Sequence, residues 1–188
     1  MEATTVFSRF LPETTSLQLD SWPLDDAATR MTLYVTSTQQ GVACPGCAVF
    51  TNRVHSRDTR TLADLPWGAA RVRWPLRVRK VVCANTQCPR RIFTERLPGV
   101  VAPWARRTQR LAAWLMAIGL ALGGAAGTRL SRCRGLTVSR QTRLRLIRRL
   151  PLACERTPQV LGVDDFAFRK RQTYGTVLID LERRQPVA

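Results

Sequence analysis

Two cysteine pairs, Cys44-x2-Cys47 and Cys83-x4-Cys88, constrain this chain more than any other feature. Paired thiols at that spacing can close a tetrahedral zinc site, with sulfurs at about 2.3 Å from the ion, and a small module so built takes folding energy directly from the metal. The competing reading is two disulfides or four buried thiols. Residues 1 to 26 carry five acids and one Arg with no apolar stretch, so no secretory signal is expected there. In the reducing cytosol this implies, disulfides do not persist. The expectation is one structural zinc on Cys44, Cys47, Cys83 and Cys88 in a cytoplasmic protein. His55, the only histidine, is not needed as a ligand once four thiols are present. Cys133 and Cys154 have no close partner and read as incidental small residues.

Charge narrows the partners. The 188 residues carry a net charge of +17, distributed unevenly: −4 over residues 1 to 26, +20 over residues 27 to 163 (24 basic, 4 acidic) and +1 over residues 164 to 188. A basic middle of that size repels itself unless a polyanion lies against it, and double-stranded DNA is the partner expected. Codon usage in a GC-rich genome would explain 28 Arg against 2 Lys, but not the shortage of acids. A membrane is not expected as partner. The uncharged run from Leu111 to Gly127 is shorter than the roughly 20 residues a span needs and is interrupted by Gly123-Gly124.

Along the chain, residues 1 to 30 show weak patterning and are expected to be a poorly defined lead-in. Leu33 to Thr38 reads as a strand leading to the first cysteine knuckle, whose Cys44-Pro45-Gly46-Cys47 turn suits tight curvature around a metal. Val72, Trp74, Leu76 and Val78 alternate with Arg71, Arg73, Arg77 and Arg79, which predicts a strand with one apolar and one arginine face, and Pro75 points to an edge or a bulge. Residues 31 to 100 are therefore expected to form a zinc ribbon.

Beyond Pro103 the period changes. Leu111, Trp114, Leu115, Ile118 and Leu122 follow helical spacing, with Arg106, Arg107 and Arg110 around the first turns, where cations oppose the helix dipole and are tolerated beside phosphate. Gly123-Gly124 is expected to end this helix. A second would end at Gly135 in a left-handed cap, and Ser139 would cap a third that Pro151 stops. That order is the order of a helix-turn-helix, expected over residues 101 to 156, although the turn from Gly135 to Ser139 is two residues longer than the commonest form. On a helical wheel Leu144, Leu146, Ile147 and Leu150 share one arc, and Gln141, Arg145, Arg148 and Arg149 point away as candidates for DNA contact. Arg143 falls in the apolar arc, where snorkelling would relieve it. The five tryptophans read as packing residues, which argues against an RNA-binding sheet.

Val160 to Asp165 reads as a buried strand ending in carboxylates, followed by a basic loop (Arg169, Lys170, Arg171) and a second strand from Tyr174 to Leu181. The result is a β-hairpin over residues 157 to 188. An aspartate so placed is how a ribonuclease H-like fold opens, whose acids hold two divalent ions for phosphoryl transfer. The overall fold class expected is α+β and multi-module.

At this point the residues support a resemblance. The two cysteine pairs, Arg60-Thr-Leu-Ala-Asp64-Leu-Pro66-Trp67, Pro89-Arg90-Arg91-Ile92-Phe93-Thr94-Glu95-Arg96, Ile118-Gly-Leu-Ala-Leu-Gly-Gly124, Gly162-Val-Asp164-Asp165-Phe166 and Tyr174-Gly-Thr together look like the ISL-three family of bacterial insertion-sequence transposases, from about residue 30 onward. The resemblance implies a zinc ribbon, a helix-turn-helix that binds the element's terminal inverted repeats, and a DDE nuclease domain using Mg²⁺, all at the bacterial nucleoid. Asp164 matches the first acid of that domain. The sequence runs only 24 residues past Asp164, so it reads as a truncated, DNA-binding part of such a transposase, not an enzyme by itself, since one carboxylate does not clamp two metal ions. Mg²⁺ is expected only in a complete family member. Two further partners stay open, a second copy of the chain or a complementing transposase fragment. The alternative is a stand-alone zinc-ribbon and helix-turn-helix transcription regulator.

Overall fold

Strand β7 (Arg71–Val82) organises the six-stranded sheet because its sequence gives it two usable faces. Val72, Trp74, Leu76 and Val78 are buried on one face, while Arg71, Arg73 and Arg77 are exposed on the other. At Lys80 the pattern changes. Val81 and then Cys83, on the opposite face, are the next buried residues, so the strand serves one core before this point and another after it. A computed structural model of the chain describes residues 11, 16–25, 27–150, 158–169 and 173–187. Cys154, Lys170, Arg171 and the helix stop expected at Pro151 lie outside the described residues.

Strands β1 (Leu17–Ser21), β2 (Arg30–Thr32), β3 (Tyr34–Ser37), β6 (Val54–Ala63) and β8 (Ile92–Thr94) complete a six-stranded sheet with β7. β6 runs antiparallel along one side of β7, from Val54 opposite Val81 to Ala63 opposite Arg73. The other side is shared end to end by β2 at Arg71–Arg73, β3 at Leu76–Arg77 and β8 at Lys80–Val82. β1 then pairs with β3. The expected edge position of Pro75 is therefore wrong, because β7 is interior. Pro75 falls in the gap where β2 has ended and β3 has not begun, so a missing N–H there breaks no ladder on that side.

The expectation of a poorly defined lead-in over residues 1 to 30 is corrected for residues 17 to 21, while residues 1–10, 12–15 and 26 lie outside the described residues. Leu17 and Leu19 alternate with exposed residues and bury themselves in β1, beside Met31, Val35, Trp74 and Leu76. Two leucines at period two suffice to recruit the segment once a sheet edge is present. The short β4 (Val42–Ala43) and β5 (Phe50–Thr51) flank the first cysteine turn.

Helix α1 (Gln109–Cys133) starts at Thr108, whose hydroxyl accepts the Leu111 N–H, and its backbone breaks at Gly123 (φ 69°, ψ −174°). By length and composition α1 would suffice to cross a membrane, with mean hydropathy 1.6 over its most apolar window. The break leaves segments 109–122 and 124–133, each shorter than a span needs. Its end is a Schellman cap: the Leu136 N–H donates to Ser131 O (2.9 Å) and the Gly135 N–H to Arg132 O (2.9 Å), with Gly135 at φ 70°. Helix α2 (Arg140–Ile147) opens on Ser139, whose Oγ accepts the Thr142 N–H at 3.1 Å. The expected helix ran to Pro151. Observed α2 ends three residues after Leu144, so Arg148, Arg149 and Leu150 lie past its end.

The chain divides into two units, Met1–Ile147 and Arg148–Ala188. The second contains β9 (Leu161–Arg169), β10 (Thr173–Asp180) and β11 (Gln185–Pro186), antiparallel in the order β9-β10-β11. The hairpin thus gains a third, two-residue strand. The expected buried first strand is corrected: Val163 and Phe166 are exposed, and Asp164 and Asp165 sit in mid-strand rather than at its end.

Candidate metal centre and nucleic-acid interface

Cys44 and Cys47 lie in the turn between β4 and β5, closed by Ala48 N–H to Cys44 O (2.8 Å) and Cys44 N–H to Val49 O (2.9 Å). Cys83 follows directly on β7 and is tied by its N–H to Arg91 O (2.8 Å). Cys88 closes the second turn on Asn85 O (3.2 Å). The four sulfurs lie within 4.8 Å of one another, with Cys44 and Cys88 at 3.9 Å and Cys47 and Cys83 at 3.6 Å. A tetrahedron with bonds of about 2.3 Å has edges of about 3.8 Å, so the set fits a zinc ion. Val42, Val81 and Phe93 pack around it, and Cys47 alone is half-buried.

Burial pushes the Cys44 thiol up, but the N–H groups of Gly46 and Cys47 outweigh it and bring the thiol down to about 7. Burial pushes Cys83 up to about 12, with the sulfurs of Cys47, Cys44 and Cys88 adding to the effect. The site therefore holds one thiol that ionises readily and one that gives up its proton only to a strong competitor, which a divalent ion is. His55 is exposed and bonded to Ser56 (3.1 Å), outside the cluster, and Cys133 is exposed at the end of α1.

Residues 40–88, which include all four cysteines, match the family described as zinc-finger of transposase IS204/IS1001/IS1096/IS1165. The cysteine region is similar to a transposase zinc finger. No curated protein and no solved structure matches the chain.

The arginines proposed for DNA separate into groups. Gln141 and Arg145 are exposed on α2, and Arg148 and Arg149 are exposed beyond it. Arg106 is exposed and Arg107 half-buried, but both precede the Thr108 cap, so neither belongs to the first turn of α1 as expected. Arg110 does belong to it and is a structural residue. Its Nε donates to Asp64 at 2.8 Å, its Nη2 reaches the same carboxylate, and its guanidinium lies 5.4 Å from the Trp74 ring centroid. Asp64 is fully buried and also accepts the Thr108 hydroxyl at 2.5 Å. A buried carboxylate needs its cation close by, which removes Arg110 from the set free to meet phosphate.

Arg143 overturns a second expectation. It does not snorkel but is fully buried, with Nη2 donating to Ser131 Oγ at 2.7 Å, and burial draws its pKa down. Room for it comes from α1. A methyl at Gly119 would lie 2.8 Å from Arg143 Cγ, and one at Gly127 would run into the guanidinium. These two glycines, eight residues apart, thus serve the fit of α2 against α1. Leu111, Leu115 and Leu136 form the small core beneath, with Leu146, Val138 and Trp114 against it, whereas Leu122, expected in the buried stripe, is exposed.

Asp164 is exposed on β9 opposite Val177, and its Oδ1 accepts the Asp165 N–H at 2.8 Å. Asp165 in turn accepts the Thr176 hydroxyl at 2.7 Å. Sequence reasoning missed Trp104, assigned to packing and in fact 93% exposed. The Pro103 before it was the available signal, since Pro at the second position of a turn leaves the next side chain at the turn's outer corner.

Proposed function

We propose that this chain is the DNA-recognising, N-terminal part of an insertion-sequence transposase similar to the ISL-three family, and that it reads the element's terminal inverted repeats as duplex DNA. The observation that carries the proposal is the transposase zinc-finger match over residues 40–88, whose four cysteines bring their sulfurs into one zinc-sized cluster. Supporting it, a left-handed glycine turn and a serine cap lead into α2, which exposes Gln141 and Arg145. Such side chains can meet base edges in a major groove, Arg at guanine and Gln at adenine. Arg106 and Arg107 supply charge for the phosphate backbone, which positions rather than specifies; Arg148 and Arg149, which open the second unit, are separate candidates for DNA contact.

On this reading residues 157–188 are the opening of a ribonuclease H-like catalytic domain with Asp164 as its first carboxylate. Strand cleavage with Mg²⁺ belongs to a site that Asp164 alone does not make up. The chain works at the nucleoid of a bacterial cytoplasm, with the zinc structural. A gel-shift of zinc-loaded protein with duplexes from the ends of its own element against shuffled duplexes tests this. Preference for the element ends, lost in Arg145→Ala, is the expected result. Equal affinity for both duplexes would sink the proposal.

A further inference from the structure

Trp104 occupies a position where backbone and burial both disfavour it. The Ala105 N–H donates to Ala102 O at 3.1 Å, and Pro103 and Trp104 are the middle residues of that turn, Trp104 at φ 62°. Pro followed by a residue of positive φ is the type II pattern, in which the second place belongs to glycine. A bulky side chain held there is strained, and such strain collects at binding sites. Nor does packing repay it, since the indole is 93% exposed. The turn is nevertheless fixed: Arg60 Nη2 donates to Ala105 O at 2.8 Å, and the Ala63 N–H to Arg106 O at 3.0 Å.

The indole stands at a groove of about 850 Å³ whose other wall is the segment from Pro89 to Arg96, after the second cysteine pair. Arg90, Arg91 and Arg96 line it, exposed and without an ion-pair partner among the described residues, and Ile92 gives an exposed apolar patch. The two acids of the groove are neutralised: Asp58 by Lys80 at 3.2 Å, and Glu95, buried, by Arg79 at 2.8 Å. A cationic groove with one presented aromatic face is how proteins hold single strands, stacking a base and tracking phosphates. Duplex DNA hides its base faces in its own stack, so it cannot use the indole in this way.

We infer that this groove binds an unpaired stretch of a DNA strand, with Trp104 stacked on a base and Arg90, Arg91 and Arg96 on the flanking phosphates. The inference rests on the chain being a DNA-binding protein but uses residues other than those of α2.

The test uses the full zinc-loaded chain with oligothymidylate, an abasic oligonucleotide of equal length, oligouridylate and an oligoglutamate peptide, read by fluorescence anisotropy. Trp104→Gly relieves the backbone strain, so folding, checked by zinc content and circular dichroism, is retained. It should weaken oligothymidylate about fivefold to a hundredfold, the range for a lost stacking aromatic. Abasic binding should not change, and Trp104→Phe should keep most of the affinity. A 2-aminopurine placed in the oligonucleotide should be quenched by wild type and not by Trp104→Gly. Equal weakening of normal and abasic strands, or no weakening, overturns the inference. So does tighter binding of oligouridylate, which would assign the groove to RNA, or of oligoglutamate with the same dependence on Trp104, which would assign it to an acidic protein segment. Arg145→Ala should leave oligothymidylate binding untouched, so failure of the duplex reading and failure of this one are separately visible.

Discussion

The two faces of β7 solve the same problem by different means. On one, fifteen buried residues from Leu11 to Val101, Trp74 and Leu76 among them, form the core. On the other, three aliphatic or aromatic side chains, Val42, Val81 and Phe93, share a core with the cysteines. Apolar burial at about 25 cal/mol per Å² sustains the first; the second is too small to hold by packing and needs its sulfurs tied. Metal and apolar burial thus act on one continuous strand, a few residues apart.

Removing the metal should separate the faces most sharply. Chelation or Cys83→Ser should release residues 42–51 and 83–93 while the Trp74 face persists, because zinc binding in small modules is worth about 10 to 16 kcal/mol. Hydrogen exchange showing protection of Leu62 and Leu76 unchanged and protection of Cys44 and Cys88 lost is the expected pattern, and uniform loss would make the two cores one cooperative unit. The affinity for zinc should also fall with acid. At neutral pH the ion must expel the Cys83 proton, whose thiol titrates at about 12. Below about 7 the Cys44 thiol is protonated as well, so the decline should steepen there.

Trp74→Ala attacks the other face and should cost about 3 to 5 kcal/mol in chemical denaturation of the zinc-loaded protein, with the metal still bound. Smaller is the effect of Arg110→Ala, about 2 to 3 kcal/mol, because it leaves Asp64 buried without its cation, yet Arg110 itself keeps 30% side-chain exposure and some solvent screening. Its DNA affinity per folded molecule should be unchanged, whereas Arg106→Ala should weaken all duplexes alike without destabilising. Gly127→Ala, which forces Arg143 out of its place between the helices, should cost about 1 to 3 kcal/mol. If thermal melting shows no change, Arg143 has a second resting position.

What sequence reasoning captured follows from local rules. Cysteine spacing, the alternation of β7, the Gly123 break, the Gly135 cap and the Ser139 cap each depend on a few adjacent residues, and each is in the structure. Where partners are distant in sequence the reading failed. Arg110 looked like a free cation because Asp64 lies 46 residues earlier, and Arg143 looked misplaced because the space for it is carved by Gly119 and Gly127 on another helix. The Leu17-x-Leu19 alternation of β1 is too short to predict a strand from sequence and becomes meaningful only beside β3. Trp104 was counted as core because an aromatic residue is buried more often than not.

The bulge in β6 gives the shared strand a further property. His55 is the extra residue between Val54, opposite Val81, and Ser56, opposite Lys80. A strand that slipped by one residue along its neighbour would turn its arginines inward and carry Cys83 to the wrong side of the sheet. In that misaligned state four sulfurs cannot converge, and the ion has nothing to grip. Zinc binding would therefore favour the aligned register, in which the four sulfurs come together, over a slipped one.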